Sequence, residues 1–103
     1  LRSFLNMRFY SSADAIKKLL YKIVDDKNKP FMMIALNWKN IVGDLLAERS
    51  KVKKLKKNIL FIATNNNVWM QELALRKNII IKEIKHKLDI ELSDIVFFLN
   101  IEN

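Results

Sequence analysis

Apolar residues near the start of the chain recur three and four positions apart, which is the spacing of one helix face. This spacing predicts an amphipathic helix from about Ser12 to Asp26, capped by Ser11 or Ser12, with Asp14 placed to pair with Lys18. We expect its buried face to consist of Ile16, Leu19, Leu20, Ile23 and Val24.

A second apolar stripe predicts a helix from about Phe31 to Arg49, with Pro30 at its start. Gly43, the one glycine of the chain, lies inside this stripe, where glycine costs about 1 kcal/mol relative to alanine. We expect another element to pack closely against the helix at that point; the alternative is a glycine that is merely tolerated. The stripe consists of Ile34, Ala35, Trp38, Ile41, Val42, Leu45 and Leu46.

Two strands and a tight turn follow. The lysine-rich residues 51–56 predict a polar edge strand, and the apolar run 59–63 predicts a central strand. Lys57 and Asn58 would join them in a hairpin, because Asn tolerates a positive φ better than most non-glycine residues. Residues 94–99 predict the last strand, in which adjacent phenylalanines point to opposite faces.

A long third helix is predicted from about Asn67 to Leu88, capped by the Asn65-Asn66-Asn67 segment. It has two apolar faces, so we expect it to split at Arg76-Lys77-Asn78 or to be buried on both sides within the domain. The alternative is a partner groove that receives the second face. The first face has Trp69, Leu73, Ile80, Ile84 and Leu88, and the second has Val68, Leu75 and Ile79.

The element order α-α-β-β-α-β predicts an α+β fold with a three-stranded sheet packed against helices. The 103 residues suit one domain, which we place at residues 12–103 after a flexible segment of residues 1–11. The chain has no Cys, which excludes disulfides and a thiolate metal site. No apolar run approaches the roughly 18 residues that span a bilayer. We therefore expect a cytoplasmic protein without a membrane partner; association with the nucleoid is an option within that location.

The positive charge of the chain indicates the class of partner that it binds. The chain has 19 Lys and Arg against 11 Asp and Glu, a net charge of +8 that favours polyanions such as nucleic acid. The alternative is a compositional bias of the kind found in proteins from AT-rich genomes. We interpret the lysine cluster, with Arg76 and Lys77, as phosphate contacts; the alternative is that edge lysines prevent sheets from pairing edge to edge. The lysine cluster consists of Lys51, Lys53, Lys54, Lys56 and Lys57.

Catalytic patterns are missing from the sequence. His86 is the one histidine and has no second ligand at metal-binding spacing, and Asp25-Asp26 belongs to a polar connector. One glycine cannot build a phosphate-binding loop. We therefore expect no enzyme, metal, cofactor or small-molecule substrate.

The large aromatic residues lie at positions that favour a core role over base stacking. Trp38, Trp69 and Phe61 fall on core-facing spacing. If its indole is buried, Trp69→Ala would cost about 3–5 kcal/mol of stability.

Short motifs appear in a fixed order along the chain: Trp38 with Ile41-Val42-Gly43, Ile59-Leu60-Phe61-Ile62, Trp69-Met70-Gln71-Glu72-Leu73 and Asp94-Ile95-Val96-Phe97. In this order they resemble the bacterial DciA-like family. The resemblance implies a KH-type fold, interaction with the replicative DNA helicase during its loading, and DNA binding in some members. It also marks family-motif or partner-binding residues, which are Trp38, Gly43, Trp69, Glu72 and Leu73.

The chain departs from that family in three places. Asn58 stands where the turn often has Gly, and Asn65-Asn66-Asn67 replaces a serine-rich loop. Longer members carry a helicase-engaging tail, whereas this sequence ends at Asn103, so the resemblance implies the folded module more directly than helicase binding. KH domains grip nucleic acid with a Gly-x-x-Gly loop, which residues 75–78 lack, so we expect side-chain charge and weak sequence specificity.

Three hypotheses follow. The first is a replication-associated module that binds DNA electrostatically, with affinity that falls with salt and on changing Lys53, Lys54, Lys56 and Lys57 to Glu. The second is a protein-interaction adaptor that contacts its partner through the second face of the third helix or residues 1–10. The third is an RNA-binding KH-like protein.

Overall fold

The computed structural model describes residues 15–16, 18–19 and 27–100. The predicted first helix lies mostly outside this part of the chain, as does the predicted flexible segment of residues 1–11. Ile16 and Leu19 are helical but exposed, so their predicted burial is wrong. Side chains from later helices fill the core, and neither residue belongs to it.

The described elements form an α+β fold with a three-stranded sheet packed against helices, which confirms the predicted class. The bounds in chain order are α1 (Lys29–Leu36), α2 (Trp38–Val42), α3 (Asp44–Glu48), β1 (Ser50–Lys56), β2 (Ile59–Thr64), α4 (Asn67–Leu75), α5 (Lys77–Leu88) and β3 (Asp94–Leu99).

The single helix predicted for residues 31–49 is wrong, because the chain breaks into α1, α2 and α3 at Asn37 and Gly43. The Asn37 side chain donates from Nδ2 to the Met33 carbonyl at 2.7 Å. Gly43 has φ +91°, a conformation that favours glycine. A Cβ placed there would meet nothing within 4 Å, so the expected close packing at Gly43 is also wrong. Glycine is therefore favoured here by the backbone conformation and not by close packing of another element.

The sheet has β2 at its centre, antiparallel to β1 and parallel to β3. Lys57 and Asn58 have φ of 52° and 65°, so the hairpin has a two-residue type I′ turn. This confirms the predicted turn at these residues. A parallel pair requires a crossover, which α4 and α5 supply between β2 and β3.

The predicted split of the third helix is confirmed, because α4 ends and α5 begins on either side of Arg76. Each of the helices α1 to α5 contributes a buried residue to one core cluster together with β2 and β3, so these five helices cover the same face of the sheet. The buried cluster is Ile34, Trp38, Leu46, Leu60, Ile62, Leu73, Ile80, Ile84, Leu92 and Ile95.

Candidate nucleic-acid interface

A β-bulge in β1 determines where the lysines point. The register shifts between Val52 and Lys54, which leaves Lys53 as the extra residue. Ser50 and Val52 therefore face the helices together with Leu55 beyond the bulge, and these three are buried or half-buried. The lysines between them are all exposed. The bulge thus keeps apolar residues inward on a strand whose lysines would otherwise break the alternation.

The lysine cluster forms an exposed row of charge along the edge strand. Among the described residues, none of its five members forms an ion pair with a carboxylate. Lys54 Nζ instead lies 4.7 Å from the centroid of the Phe61 ring. Five ammonium groups without local carboxylate partners are available to a polyanion.

Arg76 and Lys77 differ from the lysine cluster because both have acidic partners. Arg76 Nη2 lies 2.8 Å from Glu72 Oε1, and Lys77 Nζ lies 2.9 Å from Asp94 Oδ1. The hydrogen bond from Lys77, and then that from the Ile95 backbone N–H, lowers the pKa of Asp94 below its usual value. Lys77 is therefore anchored beside β3, across the sheet from the lysine cluster.

Two of the family-motif residues belong to the packing frame. Trp38 is buried, as predicted, and its Nε1 donates to Ser50 Oγ at 2.8 Å. Ser50 Oγ in turn donates to the Leu46 carbonyl at 2.6 Å, which ties α2, β1 and α3 together. Leu73 is fully buried on α4. Neither Trp38 nor Leu73 is accessible to a partner in the folded domain.

Trp69 and Glu72 lie nearer the surface of α4. Trp69 is half-buried against the core cluster, with the Arg49 guanidinium carbon 5.5 Å from its ring centroid. Glu72 accepts hydrogen bonds from Arg76, from Nη2 at 2.8 Å and from Nε at 3.1 Å.

The second face of the sheet is the feature that sequence reasoning missed. Phe61 was expected in the core, but its neighbours Leu60 and Ile62 face the core cluster, so Phe61 points to the opposite face. The unbroken apolar run of β2 gave no alternation that could have revealed this. We call this second face the open face because none of α1 to α5 packs on it; its residues are Ile59, Phe61 and Ala63 of β2 and Val96 and Phe98 of β3. Val96 is exposed, Ile59, Phe61 and Phe98 are half-buried, and the small Ala63 between larger side chains is buried.

An exposed apolar stripe lies on α4 and α5. Val68, Leu75 and Ile79 expose 68%, 82% and 61% of their surfaces, so burial of this second face within the domain is wrong. The break at Arg76 redirects the chain without covering these residues. The stripe remains available to a partner.

A cleft of about 330 Å³ opens beside the lysine cluster at one end of the sheet. Three cations, Arg49, Lys51 and Lys53, line it together with the carboxylate of Glu48 and with Asn65. Positive charge therefore exceeds negative charge at this end of the edge strand.

Within residues 15–16, 18–19 and 27–100, no group of three or more acidic or histidine side chains could hold a metal ion. None of the helices in the same ranges is both long and apolar enough to cross a bilayer.

Comparison with protein families gives a match to the model described as "Dna[CI] antecedent, DciA", over residues 13–97. The matched range includes the lysine cluster, the exposed stripe of α4 and α5 and the open face of the sheet except Phe98. No curated protein matches the chain.

Proposed function

This chain belongs to the DciA family, and we propose that it contacts DNA through the lysine cluster of β1 in support of the replicative helicase. The family is replication-associated, helicase loader-like and non-catalytic. The proposal adds a DNA-binding surface and the residues that form it.

One observation carries the proposal: the five exposed lysines lack carboxylate partners among the described residues, whereas Arg76 and Lys77 have them. Lysine binds phosphate as a point charge. The acidic partners of Arg76 and Lys77 lower the positive potential around those two residues, so they attract phosphate less than the lysine cluster does. Phosphate contacts position a protein on DNA but carry no sequence information. Binding through the cluster is therefore weakly sequence-specific.

The first test changes Lys53 and Lys56 together to Glu. Neutralising a phosphate releases counterions, so the slope of log affinity against log salt should become shallower by about one for each lysine lost. We expect affinity for duplex DNA to fall at least tenfold at low salt, measured by fluorescence anisotropy.

The matched control is the pair Lys39→Glu and Lys82→Glu, which changes the net charge equally at exposed positions outside the cluster. We expect a much smaller loss of DNA affinity from this pair, because Lys39 lies on α2 and Lys82 on α5, away from the edge strand along which we place the phosphates. Equal losses in both variants would mean that net charge, and not the lysine cluster, governs binding. Wild-type binding that does not respond to salt would reject the proposal outright.

Single-stranded RNA, single-stranded DNA and duplex DNA compared at one salt concentration separate a replication role from an RNA-binding role. We expect affinity for RNA not to exceed affinity for DNA of the same length, because lysine contacts with phosphate do not read the 2′-hydroxyl. A marked preference for RNA would favour an RNA-binding KH-like protein.

A second candidate function is protein-interaction adaptor, which the exposed stripe of Val68, Leu75 and Ile79 favours. Such a patch on a helix suits an apolar groove on a partner, and the family associates the chain with the replicative helicase. Leu75→Ser should reduce capture of purified helicase and leave DNA affinity intact. Leu45→Ser, which changes an exposed leucine on α3, is the control. Equal capture by both variants would exclude the stripe as the contact.

A further inference from the structure

We propose that the open face of the sheet is a stacking surface for unpaired nucleotide bases, so that single-stranded nucleic acid engages more of this domain than a duplex does. This inference rests on the proposed function, because the phosphates of the same strand would lie against the lysine cluster. It adds a second group of residues and a different kind of contact.

The register of the sheet places lysine and apolar side chains in common rows on the open face. One row runs Lys54, Phe61 and Val96 across the three strands, and the next runs Lys51, Ala63 and Phe98. Adjacent strands are about 4.8 Å apart and alternate residues of one strand about 6.6 Å apart. Each row therefore begins with an ammonium group at the β1 edge. Beyond it, the partly accessible apolar groups are Phe61 and Val96 in the first row and Phe98 in the second, where Ala63 is buried.

The two rings of the open face lie at diagonal positions. Phe61 pairs with Val96, and Phe98 is two residues further along β3, which sets the rings roughly 8 Å apart from the strand spacings. Neither ring belongs to the core cluster or packs against it, and Val96 between them is 38% exposed. Two successive bases splayed from one strand could each stack on a ring, and such stacking is tolerant of sequence.

The contact between Lys54 and Phe61 shows that this ring is reached from the solvent side. An ammonium 4.7 Å from the ring centroid is a cation–π contact, made here by an exposed lysine to a half-buried ring. When a base takes the ring, the flexible Lys54 side chain can move to a phosphate. Phe61 would then contact a base and Lys54 a phosphate of the same nucleotide chain.

Charge at the two edges of the sheet sets the orientation of the strand. The β1 edge carries the lysine cluster, whereas Asp94 of β3, in the row with Ile59 and Lys56, is already paired with Lys77. Phosphates are therefore favoured along β1, with bases directed over β2 toward β3. A second copy of this chain would bring like charge to the same edge, so charge complementarity favours a polyanion over self-association.

The test replaces both rings by leucine, Phe61→Leu with Phe98→Leu, which keeps apolar volume and removes the π face. Stacking accounts for about tenfold in affinity per base, so we expect affinity for oligodeoxythymidylate to fall ten- to a hundredfold. Affinity for a duplex of the same length should change less than twofold, because its bases are stacked on each other. Fluorescence anisotropy at one salt concentration measures both.

The matched control is Phe97→Leu, which removes a ring of equal size from the face of β3 that packs against the core cluster. It should lower stability without changing the ratio of single-strand to duplex affinity. Should the double variant fail to fold by circular dichroism, Val96→Glu provides the second test. That exposed position would place a carboxylate between the rings, and we expect selective loss of single-strand binding.

Unchanged single-strand affinity in folded ring variants would overturn the inference. In that event, weakened binding by the Lys53→Glu and Lys56→Glu pair would still support the proposed function, whereas failure of both sets would reject both. Ring variants that lower self-association in sedimentation velocity, with DNA affinity intact, would identify the face as an interface between copies and also overturn the inference.

Discussion

The two tryptophans have different surroundings, although both lie at core-facing positions in the sequence. Trp38 is buried with its N–H satisfied by Ser50, which itself donates to the Leu46 carbonyl. Trp69 is only half-buried, with Arg49 over its ring. A buried indole needs a hydrogen-bond acceptor, and the first residue of β1 supplies it.

We predict that Trp38→Ala lowers the free energy of unfolding by about 3–5 kcal/mol. Trp69→Ala should cost roughly 1–2 kcal/mol, since part of that ring already faces water. Chemical denaturation with urea measures both. A larger cost for Trp69→Ala would show that Trp69, and not Trp38, anchors the helices to the sheet.

The Lys77–Asp94 pair predicts a pH dependence of stability. Hydrogen bonds from Lys77 and from the Ile95 backbone N–H lower the pKa of Asp94 in the folded state. Its contribution is therefore complete above the unfolded carboxyl pKa of about 3.9 and is lost as the pH falls through the lower folded pKa. The stability difference between wild type and Asp94→Asn should shrink over that range. A difference independent of pH would contradict this role.

At the scale of elements, backbone conformation explains the helix breaks at Asn37 and Gly43, which helical periodicity did not predict. The apolar stripe of residues 31–49 continues across both breaks, but Gly43 at φ +91° cannot be helical. Periodicity identified Ile34, Trp38 and Leu46, one buried residue from each of the three short helices, but Leu45 of the same stripe, beyond the break at Gly43, is 53% exposed.

We predict that Gly43→Ala destabilises the domain by about 1–3 kcal/mol, the cost of holding a residue with a Cβ at φ +91° and ψ 166°, a conformation nearly restricted to glycine. Because a Cβ there would meet no atom within 4 Å, the cost comes from the backbone alone. Thermal unfolding compared with Ala74→Gly, on exposed α4, separates this cost from a general effect of glycine. No change on Gly43→Ala would mean that the backbone relaxes into a continuous helix.

The hairpin turn places two non-glycine residues in a left-handed conformation. Lys57 and Asn58 both have positive φ, and Asn-Gly is the pair best suited to a type I′ turn. Lys57→Asn with Asn58→Gly should therefore raise stability by about 1 kcal/mol, measured by urea unfolding. The Asn58 carbonyl, which accepts from the Ser93 N–H at 2.8 Å, is retained in the variant. A loss of stability would show that the Lys57 side chain stabilises the turn.

At the scale of the whole molecule, helices cover one face of the sheet while charge concentrates on one of its edges. Exposed edge lysines can both attract polyanions and prevent strands of different molecules from pairing. Substitutions of the lysines separate these two roles. A charge of either sign blocks edge pairing, but only a positive charge attracts a polyanion.

We predict that Lys53→Gln with Lys56→Gln increases self-association in sedimentation velocity, whereas the corresponding Glu pair does not. Both variants should lose DNA affinity, the Glu pair more strongly. If neither variant self-associates, the bulge at Lys53 and the twist of the edge suffice to prevent pairing.

The sequence by itself determined the α+β class, the order of strands along the chain, the hairpin turn at Lys57 and Asn58 and the split at Arg76. Apolar periodicity, turn chemistry and charge are local properties, and they act over a few residues. The lysine cluster was visible for the same reason. The family resemblance was also carried by short motifs, and the match over residues 13–97 confirms it.

Only the tertiary structure decided which face each β2 residue occupies, which cations are neutralised and which apolar residues stay exposed. Phe61 faces away from the core because Leu60 and Ile62 on either side of it face the helices, and an unbroken apolar run does not encode which face of the strand the helices cover. Arg76 has its partner one helical turn away, but Lys77 finds Asp94 seventeen residues later. Such pairings depend on how the sheet and helices pack, which is a property of the whole chain.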